Sequence, residues 1–151
     1  MRCWARTTFA SSTSRCRRLI VEAANKDALS RGISGFEIRV ARRLNKLAER
    51  KGNVFSTRYH AHALKSPRET RNGIAYVLLN GRHHAAKQVN GVVDPCSSGE
   101  FFTGWSKPCA LSGASIDDDP KKPVSAAKTW ILSTGWRRHA LISPDETPGA
   151  Q

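Results

Sequence analysis

The chain has 151 residues, with 25 Lys and Arg against 12 Asp and Glu and a formal net charge of +13. That length holds one domain or a domain with an extension, and no apolar run reaches the length of a membrane-spanning helix. Cysteines at 3, 16, 96 and 109 show no C-x-x-C spacing and no histidine at finger spacing, which argues against a zinc site or a disulfide framework and fits a soluble, cytoplasmic protein.

The charge is uneven. Residues 1–90 hold 19 Lys and Arg and 5 Asp and Glu, a net of +14, whereas residues 91–151 hold 6 and 7, a net of −1. A basic excess confined to one part of a chain is the footprint of a polyanion binder, with nucleic acid well ahead of a membrane surface.

The first stretch, MRCWARTTFASSTSRCRR, contains no acid and is rich in Arg and Ser. It lacks the amphipathic spacing of a transit peptide and reads as a basic arm over 1–18. LIVEA at 19–23 predicts a short buried strand, and Asn25 an N-cap. Over 26–51, Leu29, Ile33, Phe36, Val40, Leu44 and Leu47 recur at helical spacing, opposite a face of Arg39, Arg42, Arg43, Lys46 and Arg50. Gly32 and Gly35 are the places where that helix could be interrupted, and Gly52-Asn53 is its expected stop.

Residues 54–64 read as extended, in one or two short strands. Within them, YHAHAL sets His60 and His62 at i and i+2, a spacing that puts two imidazoles on one strand face and within reach of one metal ion. Ser66-Pro67-Arg68-Glu69 is a capping box with proline at the first helical position. The helix it opens runs to about His84 with a core stripe of Ile74, Val77 and Leu78. Tyr76 lies about 160–200° around the axis from Ile74 and Leu78, on the side of Asn72, Asn80 and His83. A tyrosine so placed can attack a phosphodiester when a cation withdraws charge from the phosphate, and Asn80 is a neutral oxygen ligand one turn on. A surface tyrosine packing on a neighbouring strand is the alternative, and spacing alone favours it.

Residues 91–126 are rich in Gly, Ser, Pro and Asp with Phe101, Phe102 and Trp105 among them, and predict a loop-rich segment. AKTWILSTGWRRHALI at 127–142 regains apolar spacing, as a short helix or a strand and helix, before a polar end expected to fray. Trp130, Trp136, Arg137 and Arg138 are either a base-stacking surface or buried indoles flanked by arginines. Strand, long helix, strand, helix within ninety residues predicts an α+β fold, helices on a small antiparallel sheet, over 19–90, with 91–151 as a loop-rich C-terminal extension.

LIVEA, RVARRLNKL, VFSTRYHAHALKSPRETRNGIAYVLLN, DPCSSG and KTWILSTGWRRH stand in one order along the chain. In that order the sequence resembles the REP-associated tyrosine transposases, relatives of the HUH-type single-strand insertion-sequence transposases, over about 19–149 with gaps within 91–126. The resemblance implies a bacterial, nucleoid-associated protein that binds single-stranded or hairpin DNA and cuts and rejoins it in DNA transposition through a 5′-phosphotyrosine. It implies a divalent cation, magnesium or manganese, held by a His-hydrophobic-His pair and a polar residue one turn beyond the tyrosine. By position Tyr76 matches the nucleophile and Asn80 the third ligand. The histidine pair should immediately precede the LIVEA strand, at positions 16 and 18, where this chain has Cys16 and Arg18. Arginine cannot ligate a cation, and one thiol is a poor ligand for a hard ion. The chain thus reads as an N-terminally truncated or degenerate relative with impaired cleavage and an open sheet edge, His60 and His62 being the substitute ligands still available. Arg39, Arg42, Arg43, Lys46, Arg50, Arg58, Arg82, Arg137 and Arg138 are the expected DNA contacts, and the related enzymes often form homodimers. A non-enzymatic single-strand binder, or an inactive remnant, is the competing reading.

Overall fold

The structure, a computed structural model, describes residues 2–7, 17–55, 59–84, 92–93, 97–108, 110–111 and 124–147, with the backbone alone at 2–7, 17, 80–84, 92 and 110–111. Helix and strand are mixed, and the chain divides into two compact units, Met1–Leu64 and Lys65–Gln151.

The first unit contains β1 (Arg2–Thr7), β2 (Arg17–Glu22), α1 (Lys26–Leu47) and β3 (His60–Ala63). The three strands form an antiparallel sheet in the order β2-β1-β3, with Cys3 opposite Val21 and Ala63, and Ala5 opposite Leu19 and Ala61. This corrects the reading of 1–18 as an arm outside the sheet and of the fold as lacking its N-terminal strand: residues 2–7 are the central strand and pair with β2 along its whole length. Cys3, Ala5 and Thr7 alternate with Arg2, Trp4 and Arg6, a period of two that the Arg- and Ser-rich composition conceals.

Helix α1 begins as its cap dictates. The Ala28 N–H donates to Asn25 Oδ1 at 2.8 Å, and Asp27 sits in the first turn, where the helix dipole favours an anion. Leu29 and Ile33 are buried against Val21, Ala23, Tyr59 and Ala63. The helix passes Gly32 and Gly35 without a break, and it stops at Leu47, short of the expected 51. The stop is a backbone closure: the Arg50 N–H donates to Asn45 O at 3.0 Å and the Glu49 N–H to Lys46 O at 3.4 Å. Glu49 takes the left-handed conformation, φ 49°, that glycine usually supplies in this motif. The apolar stripe is only half used. Phe36 and Leu47 are 44% and 77% exposed, and Leu44 is exposed as well. A 22-residue helix is about 33 Å long, whereas β2, with six residues, spans about 20 Å, so the sheet covers only the first turns.

The second unit opens with α2 (Pro67–His84). Its capping box is formed: the Glu69 N–H donates to Ser66 Oγ at 3.2 Å, and the Glu69 carboxylate reaches back to accept from the Lys65 N–H at 2.7 Å. Thr70, Ile74, Ala75, Leu78 and Leu79 are buried. The buried stripe is thus rotated towards Ala75 and Leu79, and Val77, expected in the core, is half-buried. The C-terminal segment supplies β4 (Val92–Val93) in a parallel pair with β5 (Ala110–Leu111), a 3-10 turn at Ser98–Phe101, α3 (Trp130–Ser133) and a second 3-10 turn at Gly135–His139. The last two and β4 pack on α2.

Trp136, 2% exposed, is the largest side chain of this core. Its Nε1–H donates to Leu132 O at 3.1 Å, and its ring stacks on Phe102 with centroids 5.5 Å apart. Phe102 meets Trp105 edge-on at 5.1 Å. Gly104 is required beneath the indole, because a Cβ there would lie 2.3 Å from Trp136 Cη2. The end of the chain does not fray as expected through residue 147: Ile142 and Pro144 are fully buried, and Ile142 bridges to Trp105. Helix α2, read as part of a 19–90 domain, therefore belongs to the same compact unit as the C-terminal segment. The loop reading at 91, 94–96, 109 and 112–123 lies outside the described residues.

Candidate nucleic-acid interface

The Met1–Leu64 unit carries 14 Lys and Arg and 4 Asp and Glu, a net of +10; the Lys65–Gln151 unit carries 11 and 8, a net of +3. On α1, Arg39, Arg42, Arg43 and Lys46 are all exposed, and at helical spacing they share an arc of about 100°. Among the described residues none of the four has an ion-pair partner. Arg50 is exposed too, but its guanidinium donates to Asn53 O at 3.0 Å just past the helix end. The basic arc borders the uncovered apolar half of the helix. Within that stripe Glu37 is half-buried; Oε1 has no hydrogen-bond partner among the described residues, and burial raises the carboxyl above its ordinary value. Arg58 lies outside the described residues, and Arg82 lies in α2 with its side chain outside them.

His60 and His62 are exposed on β3. Tyr59 and Ala63 pack on Leu29 and Ile33, so alternation turns the two histidines to the face of the sheet away from α1. On β2, Val21 packs on the helix, which turns Arg18 to that same far face. In register, Arg6 stands opposite both Arg18 and His60. Position 18, where the resemblance expects a ligand, thus shares a face with both histidines but presents a guanidinium that repels a cation. Among the described residues no group of three or more His, Cys, Asp or Glu is placed to hold a metal ion; Cys16 lies outside them.

Tyr76 lies in α2, hence in the second unit, whereas the histidines lie in the first. Its neighbours Ala75 and Leu79 are buried, so the tyrosine is half-buried at the margin of the core stripe and not on the open face that Asn72 occupies. Asn80 follows one turn on, and its side chain, like that of His83, lies outside the described residues.

Arg137 and Arg138 are exposed in the second 3-10 turn, and each covers a tryptophan. The Arg137 Cζ lies 5.0 Å from the centroid of buried Trp136, and the Arg138 Cζ lies 4.9 Å from that of Trp130, which is 53% exposed. A shallow depression of about 390 Å³, open to solvent, is lined by Phe102, Thr103, Trp105, Ser106, Lys107 and Pro108, and Arg137 Nη2 donates to Thr103 Oγ1 at 3.4 Å. Arg71 is an anchor that no sequence pattern announced. Its two Nη groups donate to the Glu146 carboxylate at 2.7 Å each, and Nε and Nη2 also donate to the carbonyls of Ala140 and Leu141. The guanidinium holds Glu146 below the usual carboxylate range, and Glu146 raises Arg71 in return. Nothing local to either residue signals a partner 75 positions away.

No protein-family model, curated protein or solved structure matches the chain. Among the described residues no helix is long and apolar enough to cross a membrane.

Proposed function

We propose that the chain is a single-strand DNA-binding protein of the REP-associated tyrosine transposase type, with an HUH-like antiparallel sheet, in which strand cleavage is impaired. The observation that carries the binding reading is the arc of Arg39, Arg42, Arg43 and Lys46, exposed and without ion-pair partners among the described residues, on a unit of net charge +10. Four cations held on one rigid helix face neutralise backbone phosphates and release their counterions, which makes such binding steeply salt-dependent. The impairment reading rests on Arg18, a guanidinium on the sheet face where a metal ligand is expected. Tyr76 is the residue that would attack the phosphodiester, and its half-buried setting on α2 limits access to a strand. A non-enzymatic binder on the same basic surface is the second reading; it differs in predicting no cleavage under any condition.

The test is titration with a single-stranded hairpin oligonucleotide across a salt series, with magnesium or manganese present. The expected result is a salt-sensitive complex that survives Tyr76→Phe and forms no covalent adduct. Replacing Arg39, Arg42, Arg43 and Lys46 by Ala should flatten the dependence of log affinity on log salt by roughly 0.7 for each phosphate no longer neutralised. Affinity independent of salt would sink the binding reading. A wild-type covalent adduct absent from Tyr76→Phe would show that cleavage survives.

A further inference from the structure

Two tryptophans six positions apart, each under an arginine, have opposite fates. Trp136 is 2% exposed and Trp130 is 53% exposed. We infer that Trp130, backed by Gly135 and Arg138, is a stacking platform for an unpaired base of single-stranded DNA. This deepens the nucleic-acid reading above and rests on it.

The indole is open yet fixed. Its backbone carbonyl accepts from the Thr134 N–H at 2.9 Å and from the Ser133 and Thr134 hydroxyls at 3.3 Å each, which pins the residue at the start of α3. Gly135 lies against the ring: a Cβ there would come within 2.9–3.1 Å of Cζ3, Cε3 and Cη2. Residues three apart eclipse in a 3-10 helix, so Gly135 and Arg138 share the side of the turn that meets the indole. Backbone and guanidinium both lie against the ring, and about half of the residue's surface, 53%, is left to solvent. A half-exposed aromatic ring beside a cation offers a base both π-stacking and a nearby positive charge for its phosphate.

The charge along the described sequence favours the same partner. Residues 124–144 contain Lys128, Arg137 and Arg138 and no Asp or Glu, and the Asp145 and Glu146 that follow pair with Lys107 and Arg71. Lys128, Arg137, Arg138 and His139 are all exposed. A surface that sought an apolar protein partner would not set an exposed indole against a guanidinium. Because Trp136 already fills the core, burial does not require Trp130.

The experiment compares a short oligo-dT with a strand of equal length whose sugars are abasic, so that phosphate charge is constant and only the bases differ. The readouts are affinity and tryptophan fluorescence. For the wild-type chain, oligo-dT should bind more tightly and quench the emission, and Trp130→Ala should lower that affinity by about 5- to 100-fold while leaving the abasic strand unaffected. Trp130→Tyr should restore most of the difference and Trp130→Leu none, since a leucine keeps apolar area but has no π-face. The thermal transition should not move in Trp130→Ala. Equal wild-type affinity for the two strands, or equal loss for both in Trp130→Ala, overturns the platform while leaving the basic arc intact. Failure of both strands to bind overturns the nucleic-acid reading and the platform with it.

Discussion

The two units divide the work of the chain. Among the described residues the six largest fully buried side chains, Trp136, Leu79, Ile142, Val93, Thr70 and Pro144, all lie in the Lys65–Gln151 unit. The Met1–Leu64 unit buries Leu29, Ile33, Val54 and Leu64, leaves Phe36, Ile38, Leu44 and Leu47 exposed, and carries net charge +10. One unit holds its shape through an indole stacked on Phe102 and a bidentate ion pair; the other holds a row of cations on a helix that the sheet only partly covers. Self-repulsion among those cations opposes compaction. On the proposed reading, a polyanion bound along α1 relieves that repulsion.

The sharpest way to break this contrast is Trp136→Ala. Removing a fully buried indole should cost about 3–5 kcal/mol, seen as lost amide protection in α2 and the Gly135–His139 turn, while α1 amides keep theirs. Equal loss in α1 would mean that the two units unfold as one. Gly104→Ala probes the same core by overfilling it: with a Cβ 2.3 Å from Trp136 Cη2 and 2.6 Å from Phe102 Cζ, a cost of about 1–3 kcal/mol is expected in a thermal or urea melt.

Acid should act on the units in opposite directions. Glu146 is depressed by Arg71, so its contribution is present above the unfolded value near 4.5 and is lost as pH falls through the lower folded value. Glu37 is raised by burial; its carboxyl is best tolerated when protonated, so stability in the first unit declines as pH rises from about 4.5 through its folded value. Glu146→Gln should cost about 1–2 kcal/mol at pH 7 and remove the acid sensitivity of the second unit, as read by hydrogen exchange at two pH values. Glu37→Gln should flatten the opposite slope in the first. The smallest expected effect is Glu49→Gly, a gain of about 0.5–1 kcal/mol from relieving the left-handed residue that closes α1. A loss of helix protection there would mean that the Glu49 side chain has a role beyond the turn.

Much of the local architecture was legible. Asn25 and Ser66 to Glu69 mark the two helix starts, because cap bonds close within three or four residues. The basic arc of α1 follows from spacing alone. The site was less legible. Tyr76 falls on a helix as expected, but which of its neighbours are buried depends on the C-terminal elements that pack on α2. The N-terminal strand was missed because β pairing is written in backbone groups, and RCWART is paired by strands that begin 15 and 58 residues beyond Arg2.

By itself the sequence determined where the two long helices begin, where the charge lies and which side chains share an arc, all properties of neighbours within about one or two turns. Tertiary structure alone decided that Arg71 would grip Glu146 across 75 residues and that residues 2–7 would be a central strand. It also decided that of two Arg-flanked tryptophans Trp136 would be sealed and Trp130 left open. The reason is physical: burial is set by whatever packs against a residue from elsewhere in the chain. Phe102 and Gly104 close over one indole, while Gly135 and Arg138 back the other.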